Sequence, residues 1–441
     1  MPYDVIVGRT PSDIEKLGKE GLIYIGKSYV TMGPTTSLTN KILMDVANSH
    51  VVLVAGKRGS GKSYTLGVIA EEMASLPSGV AENIAVLIYD TMGIFWTMAY
   101  PNEKEPELLR SWNIEAKKLP VRVFVPFGYA EEYTRKGIPV TKAFALKVSE
   151  LSADDWVMTF GLEFLDPVSI AIQKIVSSLL TDLKEKGKEF DLDDLILAVK
   201  EDAQTAQVTK NAAVNLFEGA RTWGLFAQKG EAGTEIKEVI EGGKTSIIDL
   251  SAYSSIGTFN VRALVIGLLS KKLFNERMAE RKYEEIQSVR HGLEYEKYQE
   301  KREMPLVWLF IDEAHEFLPK DGKTSATDVL IQILREGRQP GISMALATQQ
   351  PGKIHSDVMT QADIVISHRV TAKPDMEALN MIMQTYLLES ITQHMNNLPK
   401  SKGSAIILDD NSERIYPMRV KARFTWHGGE SPTAVKSKER L

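Results

Sequence analysis

The glycine-rich segment at residues 56–63 constrains the fold of this 441-residue chain more than any other feature. Its sequence, GKRGSGKS, fits the pattern G-x-x-x-x-G-K-[ST], in which glycines let backbone N–H groups turn toward phosphates. The apolar run Val51–Ala55 precedes it. After it, apolar residues recur at helical spacing at Leu66, Ile69, Ala70, Met73 and Leu76. Strand, loop and helix thus follow in the order that a phosphate-binding loop requires.

This loop predicts a site for the phosphates of ATP. The candidate nucleotide-binding residues are Gly56, Lys57, Arg58, Gly59, Ser60, Gly61, Lys62, Ser63 and Tyr64. We expect Lys62 to reach the β- and γ-phosphates, the Ser63 hydroxyl to bind Mg²⁺, and Tyr64 to line the nucleotide. The alternative is a flexible Gly/Ser turn without a ligand, but such a turn does not account for the flanking strand and helix.

A second signal is the apolar run Leu306–Ile311, which ends in two adjacent carboxylates. We expect Asp312 to hold Mg²⁺ together with Ser63, and Glu313 to orient and polarise the attacking water. Alone, a strand that ends in Asp-Glu is a weak signal. Beside a phosphate-binding loop it indicates nucleotide hydrolysis. His315 is interpreted as a structural hydrogen-bonding residue.

Two further polar residues end or follow predicted strands. Asp90 ends the run at 84–89, and Gln349 follows the run at 342–347. Both side chains are expected at the carboxyl edge of the sheet, where open α/β folds bind ligands. Gln349 is therefore a candidate sensor of the γ-phosphate, and Asp90 a candidate supporting catalytic residue.

Two arginines close a helical stretch at 329–334. Arg335 and Arg338 lie where cations are favoured by the helix dipole, which is the simpler interpretation. The alternative is that one of them reaches the γ-phosphate of a neighbouring subunit and stabilises the charge of the transition state.

Short runs that are apolar at nearly every position predict strands buried on both faces. Such runs lie at 51–55, 84–89, 121–125, 246–250, 306–311, 342–347, 364–366 and 405–408. Helix-like stretches separate many of them. The sequence therefore predicts an α/β fold with a mostly parallel sheet covered by helices.

The pattern also predicts how the chain is organised. Strand-like pieces at 22–25 and 29–32 are separated by Gly and Pro turn signals, which predicts short strands joined by turns. From 275 to 303, 15 of 29 residues are charged, which favours a solvated helical arm. We divide the chain into a short β-rich leader (1–45), a first core part (46–150), a helical insertion with apolar residues three and four apart (151–225), a second core part (226–426) and a tail (427–441).

Composition excludes several classes of protein. The chain has no cysteine, which excludes disulfides, thiolate metal sites and a cysteine nucleophile. Its formal net charge is −5, so any contact with nucleic acid must be local. Neither a secretory signal nor an apolar run of about 18 residues is found, so we expect a cytoplasmic protein without a membrane partner.

The ordered motifs resemble those of the HerA/FtsK superfamily of DNA-pumping ATPases, specifically its archaeal HerA-like branch. They are SHVV at 49–52, Asp90, LSADDW at 151–156, IDEAH at 311–315, REGR at 335–338, ATQQP at 347–351 and HGGE at 427–430. The REGR spacing and the terminal HGG are more specific to this branch than the phosphate-binding loop, which many families share.

The resemblance implies a RecA-like P-loop NTPase core that hydrolyses ATP with Mg²⁺ as a homohexamer around double-stranded DNA. It implies that Arg338 is an arginine finger and that Asp90 and Gln349 belong to the catalytic residues. It also implies a nuclease partner, which the family docks through an N-terminal β-barrel that is reduced to about 45 residues here. Gln350 departs from the family, in which Arg is frequent at this position.

The favoured function is thus a hexameric helicase or translocase on double-stranded DNA. The alternative is the ATPase motor of a protein-secretion or conjugation channel. A nucleotide-gated binding module is a third class, against which the intact Glu313 argues. Lys320, Lys323 and Lys353 are candidate DNA-facing charges, although scattered lysines are also typical of solvated surface.

Overall fold

One large sheet organises the computed structural model, which describes residues 3–32, 35–255, 260–291, 302–383 and 391–429. Its order is β1-β3-β2-β13-β12-β11-β4-β10-β9-β5-β8-β6-β7. The strands are β1 (Val5–Val7), β2 (Leu22–Met32), β3 (Thr35–Asp45), β4 (Val51–Ala55), β5 (Ile84–Asp90), β6 (Val121–Pro126), β7 (Lys142–Phe144), β8 (Thr245–Asp249), β9 (Leu306–Ile311), β10 (Ile342–Thr348), β11 (Ile364–His368), β12 (Ser404–Asp409) and β13 (Arg414–Val420).

The neighbouring strands from β11 to β7 all run parallel, and this confirms the α/β prediction. Every residue of β5, β8 and β10 is buried, and β5 and β10 are apolar at most positions, as expected for strands covered on both faces. β12 differs from the predicted pattern because it runs antiparallel to β11. The core is a RecA-like sheet with helices on both faces.

Helices connect most of these strands. They are α1 (Pro11–Leu17), α2 (Lys62–Met73), α3 (Ser78–Ala81), α4 (Pro106–Trp112), α5 (Ala130–Arg135), α6 (Ala153–Thr159), α7 (Pro167–Lys186), α8 (Leu192–Glu201), α9 (Gln207–Arg221), α10 (Ile236–Val239), α11 (Val261–His291), α12 (Thr327–Glu336), α13 (Ser356–Gln361), α14 (Lys373–Met383) and α15 (Ile391–Asn397). None of the described helices is both long enough and apolar enough to cross a membrane.

Most of the apolar core lies in two layers, one on each face of the sheet, and a small third cluster contains Leu109, Trp112 and Ala422. Side chains alternate along β4, which places Leu53 and Ala55 in one layer and Val52 and Val54 in the other. α2 packs in the layer of Val52 through residues such as Leu66, whereas α11 and α12 pack in the opposite layer. Because β4 is packed on both faces, the position of the loop that follows it is well defined.

The N-terminal strands extend the same sheet. The sequence predicted two short strands, at 22–25 and 29–32, with a turn between them; this was wrong, because β2 is one strand that pairs with β3 and β13. The glycine between the two pieces has a different purpose. A Cβ on Gly26 would lie 2.3 Å from the carbonyl oxygen of Arg419 on β13, so glycine allows the two strands to approach.

Helices α6 to α9 lie between β7 and β8 in the chain and share the apolar core of the sheet. Trp156 is at the centre of their packing. Its ring lies 5.4 Å from Phe160, 5.1 Å from Phe217 and 5.3 Å from Phe226. The side chain of Ser152 caps α6 by accepting a hydrogen bond from the backbone N–H of Asp155.

α11 carries much of the charged segment that was interpreted as a solvated arm. Arg277 on this helix is fully buried instead. Its guanidinium donates to the carbonyl oxygens of Pro340 and Met304, each at 2.8 Å. The buried guanidinium of Arg277 therefore connects α11 by hydrogen bonds to the segments that precede β9 and β10.

Two parts of the predicted organisation lie outside the described residues. They are 292–301 of the charged segment and 430–441 of the tail. The boundaries proposed for the leader, the insertion and the tail stay predictions.

Candidate nucleotide-binding and catalytic site

The loop between β4 and α2 has the conformation that phosphate binding requires. A Cβ on Gly56 would lie 2.4 Å from Ser60 Oγ and 2.7 Å from His368 Cβ, so glycine is needed there. Gly61 precedes α2 with a φ of 112°, a conformation that favours glycine. The first N–H groups of a helix have no partner within it and attract anions. Ser60 Oγ is buried without a hydrogen-bond partner among the described residues, which fits a phosphate oxygen as its partner.

A hydrogen bond joins the two predicted motifs. The Ser63 hydroxyl donates to Asp312 Oδ2 at 2.5 Å. They meet because β10 lies between β4 and β9, and all three strands are parallel, so their carboxyl ends share one edge of the sheet. Lys62 is buried beside them; burial lowers its pKa, and the carboxylates of Glu313 and Asp312 oppose this effect.

The donor set fits Mg²⁺. A hydroxyl and a carboxylate, Ser63 and Asp312, offer the oxygen ligands that this cation prefers, and it commonly takes its other ligands from water and phosphates. Burial raises the pKa of Asp312 above its usual range. A cation at this carboxylate would favour its ionised form.

Glu313 is turned out of the strand by its backbone. Its φ of 51° places it in the left-handed region, which is uncommon for residues other than glycine. One oxygen of its carboxylate accepts a hydrogen bond from the side-chain amide of Gln349. The other, Oε2, is buried without a hydrogen-bond partner among the described residues and lies 3.6 Å from His315 Nδ1. The unpartnered oxygen is available to a water molecule.

Asp90 lies at the same edge but its contacts are different. Its carboxylate accepts hydrogen bonds from the backbone N–H groups of Ile94 and Phe95, at 3.1 and 2.7 Å. Burial and the neighbouring Asp249 raise the pKa of Asp90 to about 7. These contacts hold the chain after β5; a catalytic role of Asp90 stays a prediction.

Asp249 was missed in the sequence although the same signal marks it. It ends β8 directly beside Asp90 in the strand register. Its carboxylate accepts hydrogen bonds from the hydroxyls of Tyr133 and Ser251, at 3.2 and 2.7 Å. A polar residue at the carboxyl end of the run at 246–250 could have been selected by the rule that selected Asp90.

The two arginines do not join this site within one chain. Arg335 is ion-paired with Asp357, with 2.6 Å between Nε and Oδ2. Arg338 is exposed and precedes β10 at the amino end of that strand. Lys62 lies beyond the carboxyl end of the neighbouring parallel strand, so the length of a strand, about 20 Å, separates the two ends. Arg338 is therefore too far from the loop of its own chain to contact a nucleotide there.

A cleft of about 580 Å³ opens along the loop. Of the nine candidate nucleotide-binding residues, those from Gly59 to Tyr64 line it. The side chains of Lys57 and Arg58 are exposed and Gly56 is buried under the loop. The cleft thus uses the second half of the predicted motif directly, and the first half shapes the loop.

His368 supports the loop from below, and sequence analysis missed it. Its Nδ1–H donates to the carbonyl oxygen of Ser404 at 3.2 Å, which leaves Nε2 as an acceptor 2.8 Å from the Thr65 hydroxyl. Burial lowers the pKa of His368 to about 4, so the ring is neutral at pH 7. The residue ends β11, again at the carboxyl edge. Its position right after the apolar run at 364–366 was the available signal.

Comparison with known protein families gives a family match that covers more than half of the chain. A family model described as "Helicase HerA, central domain" matches residues 23–273. The DNA double-strand break repair helicase HerA of Pyrococcus furiosus is 27% identical over 214 residues, which are 43% of this chain and 37% of that protein. The probable helicase MJECL08 of Methanocaldococcus jannaschii is 23% identical over 433 residues, which are 95% of this chain and 74% of that protein. The chain therefore spans well under two thirds of the Pyrococcus relative.

Solved structures show the same fold. VirB4 of Thermoanaerobacter pseudethanolicus superposes with a TM-score of 0.54 at 12% identity, over 92% of this chain and 97% of that one. The bacterial conjugative coupling protein TrwB superposes with a TM-score of 0.51 at 11% identity, over 88% of each chain. At these identities the likeness establishes the α/β fold alone.

Proposed function

The chain belongs to the family of helicase HerA central domains, and from this premise we propose that it is an ATP-hydrolysing motor that translocates double-stranded DNA. The observation that carries the proposal is the hydrogen bond between Ser63 and Asp312. It unites a phosphate-binding loop and a metal-binding carboxylate in one site. The substrate follows from relatives named as DNA double-strand break repair helicases.

The loop and the strand end take separate roles in hydrolysis. Lys62 and the N-terminal N–H groups of α2 bind the β- and γ-phosphates. Ser63 and Asp312 would hold Mg²⁺, which would neutralise charge that develops on the phosphates. Because Lys62 is buried, its contact with phosphate is shielded from water and correspondingly stronger.

Glu313 and Gln349 act on the attacking water. The free Oε2 of Glu313 accepts a hydrogen bond from the water and orients it toward the γ-phosphate. The amide of Gln349 holds the other carboxylate oxygen, so its position is linked to that of Glu313. Gln349 thereby senses whether the γ-phosphate is present.

Arg338 completes the site of a neighbouring subunit. Its own site is about a strand length away, and it has no hydrogen bond or ion pair with another described side chain that would hold it back. We therefore propose a homohexameric ring in which the arginine of one subunit stabilises the transition state in the next. Arg335 is held by Asp357 and is the weaker candidate.

The formal net charge of −5 requires that DNA contacts be confined to part of the surface, such as the inner rim of a ring. Lys320, Lys323 and Lys353 stay candidates for this surface. Lys323 is ion-paired with Asp328 at 2.8 Å, which reduces its availability. A nuclease partner and a cytoplasmic location stay predictions.

A motor of a secretion or conjugation channel is the competing function. The fold is shared with VirB4 and TrwB, but the likeness at 12% and 11% identity does not favour either function. The family match is to a helicase, which favours DNA.

The proposal is tested by measuring ATP turnover with and without duplex DNA at low salt, where phosphate contacts are strongest. We expect DNA to raise the turnover of the wild-type protein, and Lys62→Ala to abolish it. Lys136→Ala, a change at an exposed lysine that is paired with Glu132 and does not line the cleft, serves as the matched lysine control for the site. Turnover that does not respond to duplex DNA would contradict the proposed translocase.

A further inference from the structure

The cleft at the loop continues beyond the part that phosphates occupy. Residues 59–63 line part of its volume of about 580 Å³. The cleft is also lined by Tyr64, by Glu105 and by six residues of the segment 419–429, which are Arg419, Val420, Lys421, Ala422, His427 and Gly429. We name the segment 419–429 the C-terminal wall. The roles assigned above to the loop and strand ends do not use this wall.

The C-terminal wall is fastened to α2, the helix that follows the loop. Arg423 Nε donates to Glu71 Oε1 at 2.8 Å, and both side chains are 1% exposed. The other oxygen of Glu71 accepts from the backbone N–H of Phe424 at 2.9 Å. A buried ion pair with further hydrogen bonds holds a fixed geometry. These contacts fix the position of the C-terminal wall relative to α2, whose N-terminus is proposed to bind the phosphates.

Tyr64 and His427 form an aromatic corner in the cleft. Their ring centroids are 5.2 Å apart and their planes meet at 80°. Tyr64 is fixed because its hydroxyl donates to Glu105 Oε2 at 3.1 Å and accepts from the backbone N–H of Arg423 at 2.8 Å. Two perpendicular rings of this kind offer a planar heterocycle one face for stacking and one edge for contact.

His427 also offers a directed hydrogen-bond donor. Its Nδ1 lies 3.3 Å from the Arg423 guanidinium, which can only donate, so Nδ1 accepts and Nε2 carries the proton. Nε2 has no hydrogen-bond partner among the described residues. Burial, with the charges of Arg423 and Lys104, lowers the pKa of His427 to about 3, so the ring stays neutral.

Gly429 makes room for this ring. A Cβ at that position would lie 2.8 Å from Cε1 of His427, a separation that real Cβ atoms do not show. Glycine therefore lets the backbone of the C-terminal wall come close to the Cε1 and Nε2 atoms of the imidazole.

We propose that the corner of Tyr64 and His427 binds the nucleobase of ATP, with Nε2–H of His427 donating to a ring nitrogen of the base. This inference rests on the proposed function, because it requires the phosphates to lie at Lys62. It extends that function by assigning the base to the C-terminal wall, which makes residues 419–429 part of the nucleotide site.

The test compares two ligands by calorimetry, a non-hydrolysable ATP analogue and inorganic tripolyphosphate, which has the phosphates without a nucleoside. We expect His427→Ala to weaken binding of the analogue about tenfold, or about 1.4 kcal/mol, and to leave tripolyphosphate unchanged. Gly429→Ala, which displaces the ring without removing it, is expected to weaken the analogue alone and by less. His394→Ala, a histidine on α15 that does not line the cleft, is the matched control and should change neither.

The outcomes separate the two proposals. Equal loss of both ligands in His427→Ala, or loss of neither, would overturn the assignment of the base. Lys62→Ala is expected to weaken both ligands. If the wild-type protein bound neither ligand, or if Lys62→Ala left both unchanged, the proposed function itself would fail together with this inference.

Discussion

The two edges of the parallel sheet differ in how their functional groups are held. At the carboxyl edge, Lys62 and Asp312 are buried and Gln349 is bonded to Glu313. At the amino edge, Arg338 is exposed and makes no hydrogen bond or ion pair with another described side chain. One chain therefore prearranges the groups at its carboxyl edge, whereas Arg338 at the amino edge is free for the role in a neighbouring subunit that we propose.

The largest expected effect comes from breaking the carboxyl edge. Lys62→Ala should reduce ATP turnover below detection, because its buried ammonium is the side-chain cation that we propose to bind the β- and γ-phosphates. The measurement is steady-state phosphate release together with nucleotide affinity. Retained turnover at more than a tenth of the wild-type rate would show that the loop is not the nucleotide site.

Removing the cation of the amino edge should have the next largest effect. Arg338→Ala is expected to lower turnover about 10³-fold, the lower limit for an arginine finger, with nucleotide affinity nearly unchanged. Arg335→Ala is the matched control on the same edge, since Arg335 is already paired with Asp357. If Arg335→Ala were the more damaging change, the assignment of the two arginines would have to be exchanged.

The free energy of unfolding should depend more on a residue of the carboxyl edge than on one of the amino edge. His368→Ala removes a buried ring that bonds Thr65 and Ser404, and we expect it to lower the free energy of unfolding by about 1–3 kcal/mol. Arg335→Ala removes an ion pair whose arginine is 61% exposed, for which we expect about 0–1 kcal/mol. Urea unfolding of both variants measures the difference. If both variants lost the same free energy of unfolding, the buried hydrogen bonds of His368 would not contribute more to stability than the exposed ion pair of Arg335.

The carboxyl edge is also expected to make the stability of the protein depend on pH. The pKa of Asp90 is raised from 3.8 to about 7 in the fold, so the folded state binds the proton more tightly than the unfolded state. The stability that this contributes is fully present below about pH 4 and is lost as pH rises to about 7. Asp90→Asn should therefore gain stability relative to the wild type over that range. Asp249→Asn is the paired comparison, and a difference that does not change with pH would contradict the raised pKa.

The parts of the fold that were predictable depend on local signals. β4, the loop and α2 were predicted because the glycine spacing and the apolar periodicity lie within one continuous stretch, residues 51–76. β2 was misjudged at Gly26 because that glycine responds to the backbone of β13, almost 400 residues away in the chain. Contacts between distant segments leave no such local pattern.

In the candidate site, too, some residues were predictable from local signals and others depend on contacts between distant segments. Lys62, Ser63 and Asp312 could be expected together because strand ends of a parallel sheet converge on one edge. His368 and Asp249 lie at that edge too, but without the sheet order a polar residue after a strand does not reveal what it contacts. The C-terminal wall was beyond prediction for a further reason. Its place depends on the burial of Arg423 against Glu71, a pair separated by 352 residues.

The most direct test of a site shared between two subunits mixes Glu313→Gln and Arg338→Ala protein and measures ATP turnover after the assemblies exchange subunits. Each variant alone should be inactive. At equal amounts, about a quarter of the junctions in a ring with head-to-tail contacts would combine an intact Glu313 with an intact Arg338, so turnover should reappear. Turnover in the mixture no greater than the sum of the two separate variants would contradict the account.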